Sequence, residues 1–125
     1  MKLPPTYAVL DFEIRKGDDF ELFTEFFQDE EVTPLNLTGY TIRAKVREKE
    51  DSTSTVLLEC TTANNRMVIT DAANGQAKLF KLTDAETSAF TWTKGYYDLE
   101  LESPAGEARC YFKGKITLTP EITTS

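Results

Sequence analysis

Residues 95–102 alternate apolar and polar side chains without interruption and carry tyrosine where strands favour it. A period of two sustained over this length predicts a β-strand with one wet face. The same period returns at 10–14, 20–22, 42–47 and 110–113, with turn residues between. The chain therefore reads as all-β, an antiparallel sandwich whose outer faces are charged.

The elements follow from that pattern. Residues 8–14 form a first strand and 20–27 a second, joined by a turn at Lys16, Gly17, Asp18 and Asp19. Leu10, Phe12, Ile14, Phe20, Leu22 and Phe26 are expected to share the core. An acidic loop closes at Pro34, after which Leu37 plugs one end of the sandwich. In the third strand Tyr40, Ile42, Ala44 and Val46 point one way and Arg43, Lys45 and Arg47 the other. Residues 49–55 lack apolar periodicity and read as a mobile loop. Asn74 and Gly75 supply the positive φ of a turn into the strand at 77–82. Thr83 and Glu86 match a capping box, so one short helical turn is expected near residues 83–90, with Ala85, Ala89 and Phe90 folded down as a lid.

The last hairpin pairs 96–102 with 108–118. A four-residue loop at 103–106 sets Glu100 opposite Arg109, Leu99 opposite Cys110, Tyr97 opposite Phe112 and Tyr96 opposite Lys113. A five-residue loop would bring Glu100 against Cys110 and bury a carboxylate, so the shorter loop is expected. Pro4 and Pro5 make residues 1–7 an extended N-terminal arm, 8–119 form a single β-sandwich domain, and 120–125 are a C-terminal tail. Ile122, Thr123 and Thr124 in that tail are β-branched and ready to extend a neighbour's sheet. Pro4, Pro5 and these three residues are the candidate docking segments.

Composition narrows the chemistry. The 125 residues suffice for one core without staples. A net charge of −7, from 21 acidic and 14 basic residues, opposes phosphate backbones and anionic membranes, so neither nucleic acid nor membrane is an expected partner. Histidine is absent, which removes the usual general base and the commonest zinc ligand. Cys60 and Cys110 are too few for a thiolate zinc site or a disulfide framework; two reduced thiols and a single bridge both remain open. No stretch approaches the ~20 apolar residues of a membrane span and the first residues hold no apolar signal region, so a soluble product of the cytoplasm is expected, with no cofactor and no metal.

Three constellations could carry chemistry. Asp18 and Asp19 beside Gly17 offer carboxylates to calcium, but their spacing fits a turn in which the side chains bond the backbone. Glu100 and Glu102 sit roughly 7 Å apart along one strand face, a separation compatible with glycoside cleavage and equally with a structural charge ladder, which is preferred. Trp92, Tyr96 and Tyr111 form a candidate aromatic surface on which a sugar ring could stack, against packing of Trp92 at the sandwich end. No reaction is legible.

The order of motifs resembles the immunoglobulin-like β-sandwich domain of phage tail and baseplate proteins, the type at the N-terminus of baseplate upper proteins. The resemblance is carried by residues 15–20 (Arg-Lys-Gly-Asp-Asp-Phe), 36–40 (Asn-Leu-Thr-Gly-Tyr), Leu82 and Thr83 with Thr87, 95–101, and 113–116 (Lys-Gly-Lys-Ile). It implies a non-enzymatic virion protein, made in the host cytoplasm, that docks as adaptor or accessory subunit in the tail, baseplate or fibre-attachment region. Its implied partners are other phage structural proteins in multiple symmetric copies. A capsid cement or decoration protein and a carbohydrate-binding module are the alternatives.

Overall fold

The computed structural model describes residues 8–28 and 33–120. In chain order the elements are β1 (Ala8–Val9), β2 (Phe12–Arg15), β3 (Phe20–Glu25), β4 (Thr41–Arg47), β5 (Val56–Thr61), β6 (Val68–Asp71), β7 (Gln76–Leu82), α1 (Asp84–Ala89), β8 (Lys94–Glu102) and β9 (Ala108–Thr119). The larger sheet runs β1-β9-β8-β4-β5, with β2 also on β9, and the smaller runs β3-β7-β6. Successive strands divided between two sheets in this order make an immunoglobulin-like sandwich, with β5 as the extra strand beside β4.

The first strand differs from expectation in two ways. It breaks at Leu10 and Asp11, and both pieces run parallel to β9, with Ala8 opposite Phe112 and Phe12 to Arg15 opposite Ile116 to Thr119. Gly114 allows this, because a Cβ there would overlap the Leu10 carbonyl. The break is tied down from three sides. The Leu10 N–H donates to the Lys113 carbonyl at 2.8 Å, the Lys115 N–H donates to the Asp11 carboxylate at 2.8 Å, and the Tyr97 hydroxyl donates to the Leu10 carbonyl at 2.7 Å. Leu10 therefore spends its backbone on the crossing and, against expectation, lies outside the buried cluster.

That cluster fills the space between the sheets. Ile14, Leu37, Ile42, Val46, Leu99 and Ile116 are fully buried. Ile42, Ala44 and Val46 face inward while Arg43 and Lys45 are exposed, which the alternation anticipates. Burying such side chains contributes roughly 1.5–3 kcal/mol each. Beside them Phe12 stacks on Phe20 (centroids 5.4 Å) and meets Phe80 and Tyr97, which contact each other edge-on at 5.1 Å. Phe80 reaches this set from a bulge in β7, where its φ of 52° lets consecutive Leu79 and Phe80 both turn inward.

The hairpin register also departs from expectation. Glu102 pairs with Ala108 and Glu100 with Cys110, so the loop has five residues, closed by the Ser103 N–H on the Glu107 carbonyl at 2.8 Å. Glu100 is not buried, because Cys110 faces outward with it. A bulge then opposes Leu99 and returns the strand to phase, placing Leu99 against Phe112 and Asp98 against Lys113. Tyr111 and Phe112 consequently both pack on Phe26, at 5.5 and 5.9 Å.

The capping box at Thr83 forms as expected, with the Glu86 N–H on Thr83 Oγ1 and the Thr83 N–H on the Glu86 carboxylate. The lid does not. Ala85 and Ala89 are exposed, Phe90 is half-buried, and the buried residue of α1 is Thr87. Asp19 accepts from the Asp84 N–H at 2.7 Å and Asp18 pairs with the Arg15 side chain at 2.8 Å, so Asp19 ties the turn to the start of α1 and Asp18 braces it from β2, in place of the expected bonds to the turn's own backbone. Residues 49–55 are irregular but hydrogen-bonded: Ser54 Oγ donates toward the Lys49 and Asp51 carbonyls, and Asp51 accepts from Thr53, which holds its carboxyl below the ordinary range.

Candidate docking face

The outer face of the larger sheet is built in cross-strand rows, because alternate residues of β4, β8 and β9 point away from the core. Arg43, Glu100 and Cys110 form one row, Lys45, Asp98 and Lys113 the next, and Arg47, Tyr96 and Lys115 the third. Together with β1 and the 49–52 loop they bound an open trough of about 1060 Å³.

Charge is matched at one end and graded along the trough. Arg43 donates to Glu100 at 3.0 Å and lies 3.6 Å from Glu102. This assigns the two glutamates to a structural ladder with β4, in place of the expected Arg109 partner. Lys45 pairs with Glu59 at 3.9 Å and Lys113 with Glu50 at 3.8 Å. In the third row Arg47 bonds the Ser54 carbonyl at 2.7 Å, and Tyr96 lies between two cations. These exposed pairs contribute about 0–1 kcal/mol each, so they set register and surface pattern more than stability.

The three candidate aromatics are not brought together on this face. Tyr96 lines the trough. Tyr111 is turned into the core by the β9 bulge, where burial pushes its hydroxyl up to about 12. Trp92 is half-buried beside the core with its ring tilted against Phe90, centroids 5.1 Å apart; among the described residues its buried indole N–H has no hydrogen-bond partner. Pro4, Pro5, Ile122, Thr123 and Thr124 lie outside the described residues. Cys60 and Cys110 are both free, which closes the question of a bridge. Cys60 is buried in β5, and burial raises its thiol to about 12. Cys110 lines the trough, raised by partial burial and by Asp98 and Glu100.

Among the described residues no group of three or more Cys, Asp or Glu could hold a metal ion, and no helix is long and apolar enough to cross a membrane. The feature that sequence reasoning missed is the edge of the smaller sheet: among the described residues β3 pairs with β7 alone, because the first strand has gone to β9. Gly114 was the available signal, since a glycine inside a strand marks close backbone approach.

No family model and no curated protein matches the sequence. Among solved structures the chain is similar to a chicken TCR, with TM-score 0.49 and 9% identity over 95% of this chain and 56% of that one. It is also similar to extracellular domains 3–5 of Drosophila OTK, with TM-score 0.37 and 14% identity over 94% of this chain and 37% of that one. The chain thus spans 56% and 37% of those two chains' lengths.

Proposed function

We propose that the chain is a non-enzymatic structural module of a phage virion, docking as adaptor or accessory subunit in the tail, baseplate or fibre-attachment region. The observation that carries this reading is where the described chain enters and leaves the sandwich. Ala8 lies beside Phe112 and Arg15 beside Thr119, so the two ends are separated by the intervening length of β9, roughly 23 Å at the strand rise. A sandwich entered part-way along β9 and left at its far end offers one attachment through the entering chain and a second, separated one through the leaving chain. Repeated copies on a symmetric scaffold of other phage structural proteins are joined in this way.

Co-sedimentation with particles and mass spectrometry of purified virions test the reading, and absence from both overturns it. Removing residues 1–5 or 121–125 should leave the thermal midpoint nearly unchanged and sharply reduce incorporation. Destabilisation with incorporation intact would move docking to the loops at 28–34 and 49–55. Labelling of capsids in place of tails would select the decoration-protein alternative. A second reading, carbohydrate binding, draws on Tyr96 set between Arg47 and Lys115 on a wet face. Glycan-array binding that is lost in Tyr96→Ala would support it.

A further inference from the structure

We infer that the edge of β3 left uncovered by the described strands receives an extended, basic strand from a partner protein, by β-strand addition. The inference deepens the docking reading, on which it rests, by naming the edge and the chemistry that fits it.

Three observations converge on this edge. First, β3 is hydrogen-bonded to β7 on one side, and no described strand lies on the other. Alternate residues of an edge strand direct their N–H and C=O groups outward, as a template for a further strand. Second, the inward residues of β3 are incompletely covered: Phe20, Leu22 and Thr24 are only half-buried, whereas Ile42, Ala44 and Val46 of β4 are buried. Phe12, stacked on Phe20 across the gap between the sheets, is half-buried too. A strand laid along β3 would cover this apolar seam. Third, Phe23 points outward and is 58% exposed, the largest exposed aromatic surface on the smaller sheet. It is flanked on its own face by exposed Glu21 and Glu25.

The flanking carboxylates choose the occupant. Glu21 is engaged by Lys78 at 3.0 Å, and Glu25 has no ion pair among the described residues. A second copy of this chain laid antiparallel about Phe23 would set Glu21 directly opposite Glu25 twice, and like charges in that relation destabilise a sheet. A net charge of −7 on each copy adds to the repulsion. A partner strand with Lys or Arg on either side of an apolar residue reverses both terms. Its alternate side chains would lie over Phe20 and Leu22, its outward apolar residue beside Phe23 and its cations beside Glu21 and Glu25. The chain's own residues 1–7 suit the edge poorly, since Pro4 and Pro5 lack the N–H a ladder requires.

The probe is a blocked heptapeptide, Thr-Lys-Val-Leu-Val-Lys-Thr, titrated into isotopically labelled full-length protein and followed by amide chemical shifts, with a counterpart carrying glutamate for both lysines. The expected result is saturable shifts confined to β3 and to the neighbours of Phe12 and Phe20, with the lysine peptide binding about tenfold tighter. Phe23→Lys and Glu25→Lys should each weaken it by a similar factor with the unfolding midpoint unchanged, since both side chains are exposed. Shifts centred on the trough of the larger sheet, equal affinity for the two peptides, or a concentration-dependent dimer that masks β3 would overturn the inference. So would binding seen only after residues 1–7 are removed, which would give the edge to the chain's own arm. A domain that binds the peptide but is missing from virions keeps the edge and loses the phage reading, and a virion protein whose β3 ignores the peptide does the reverse.

Discussion

Thr87 and Gly17 are 70 residues apart in sequence and joined by a hydrogen bond: the Gly17 N–H donates to Thr87 Oγ1 at 3.0 Å. The same hydroxyl donates to the Asp18 carbonyl at 2.9 Å. One buried side chain on α1 thus satisfies both sides of the turn between β2 and β3, and so fixes where the first strand hands over to the smaller sheet. Thr87→Val keeps the shape and removes the partner of two backbone groups. It should destabilise the protein by about 1–3 kcal/mol in urea unfolding. An unchanged midpoint would mean that water replaces the hydroxyl.

Gly114 and Gly106 separate two reasons for glycine. A Cβ at Gly114 would overlap the Leu10 carbonyl, whereas at Gly106, with φ of +90°, nothing lies within 4 Å. Gly114→Ala should therefore cost about 3 kcal/mol as β1 is pushed off β9, and Gly106→Ala about 1–2 kcal/mol from backbone strain alone. Equal losses, measured by thermal unfolding, would contradict the steric account of the strand crossing.

Glu86 gives the fold an acid-sensitive element. The Thr83 N–H bonded to its carboxylate, and then Arg66 at 2.7 Å, hold its pKa below the ordinary value of 4.5. A depressed folded-state pKa means that its stabilisation is complete above the unfolded value and is lost as pH falls through the lowered one. Unfolding free energy should thus decline on acidification below about 4.5, and Glu86→Gln should flatten that decline. Parallel pH profiles for the two proteins would remove the carboxylate from the account.

The thiols should behave unequally. Only a thiolate reacts with a disulfide reagent, and Cys60 is buried with its thiol raised to about 12 while Cys110 is partly open to the trough. The native protein should release one equivalent slowly and the urea-unfolded protein two at once. Two rapid equivalents from the native state would show that the β5 edge opens.

Parallel pairing of β1 and β2 with β9 has a mechanical consequence. Force applied between Ala8 and Thr119 slides these strands past β9 with the whole ladder loaded together. Force applied between Lys94 and Thr119, at one end of the antiparallel β8–β9 pair, separates its bonds in turn. Single-molecule pulling through those attachment points should show higher rupture force in the first geometry; equal forces would exclude the ladder as the resisting element.

Local pattern determined much of this protein. Alternation at 42–47 and 95–102 placed those strands and their faces, and Thr83 with Glu86 placed the helix start, because side-chain period and capping depend on residues only two or three apart. Tertiary structure decided what depends on distant backbones. Whether the first strand lies on β3 or β9 turns on Gly114 meeting Leu10 about a hundred residues away. The bulge that sends Tyr111 inward and Cys110 outward brings Tyr111 edge-on to Phe26, just past the end of β3. That no described strand covers the outer edge of β3 follows from the first of these choices. A period of two says which residues share a face; it carries no information about which strand will lie alongside, since that is settled by steric fit and burial between segments that meet only in the folded chain.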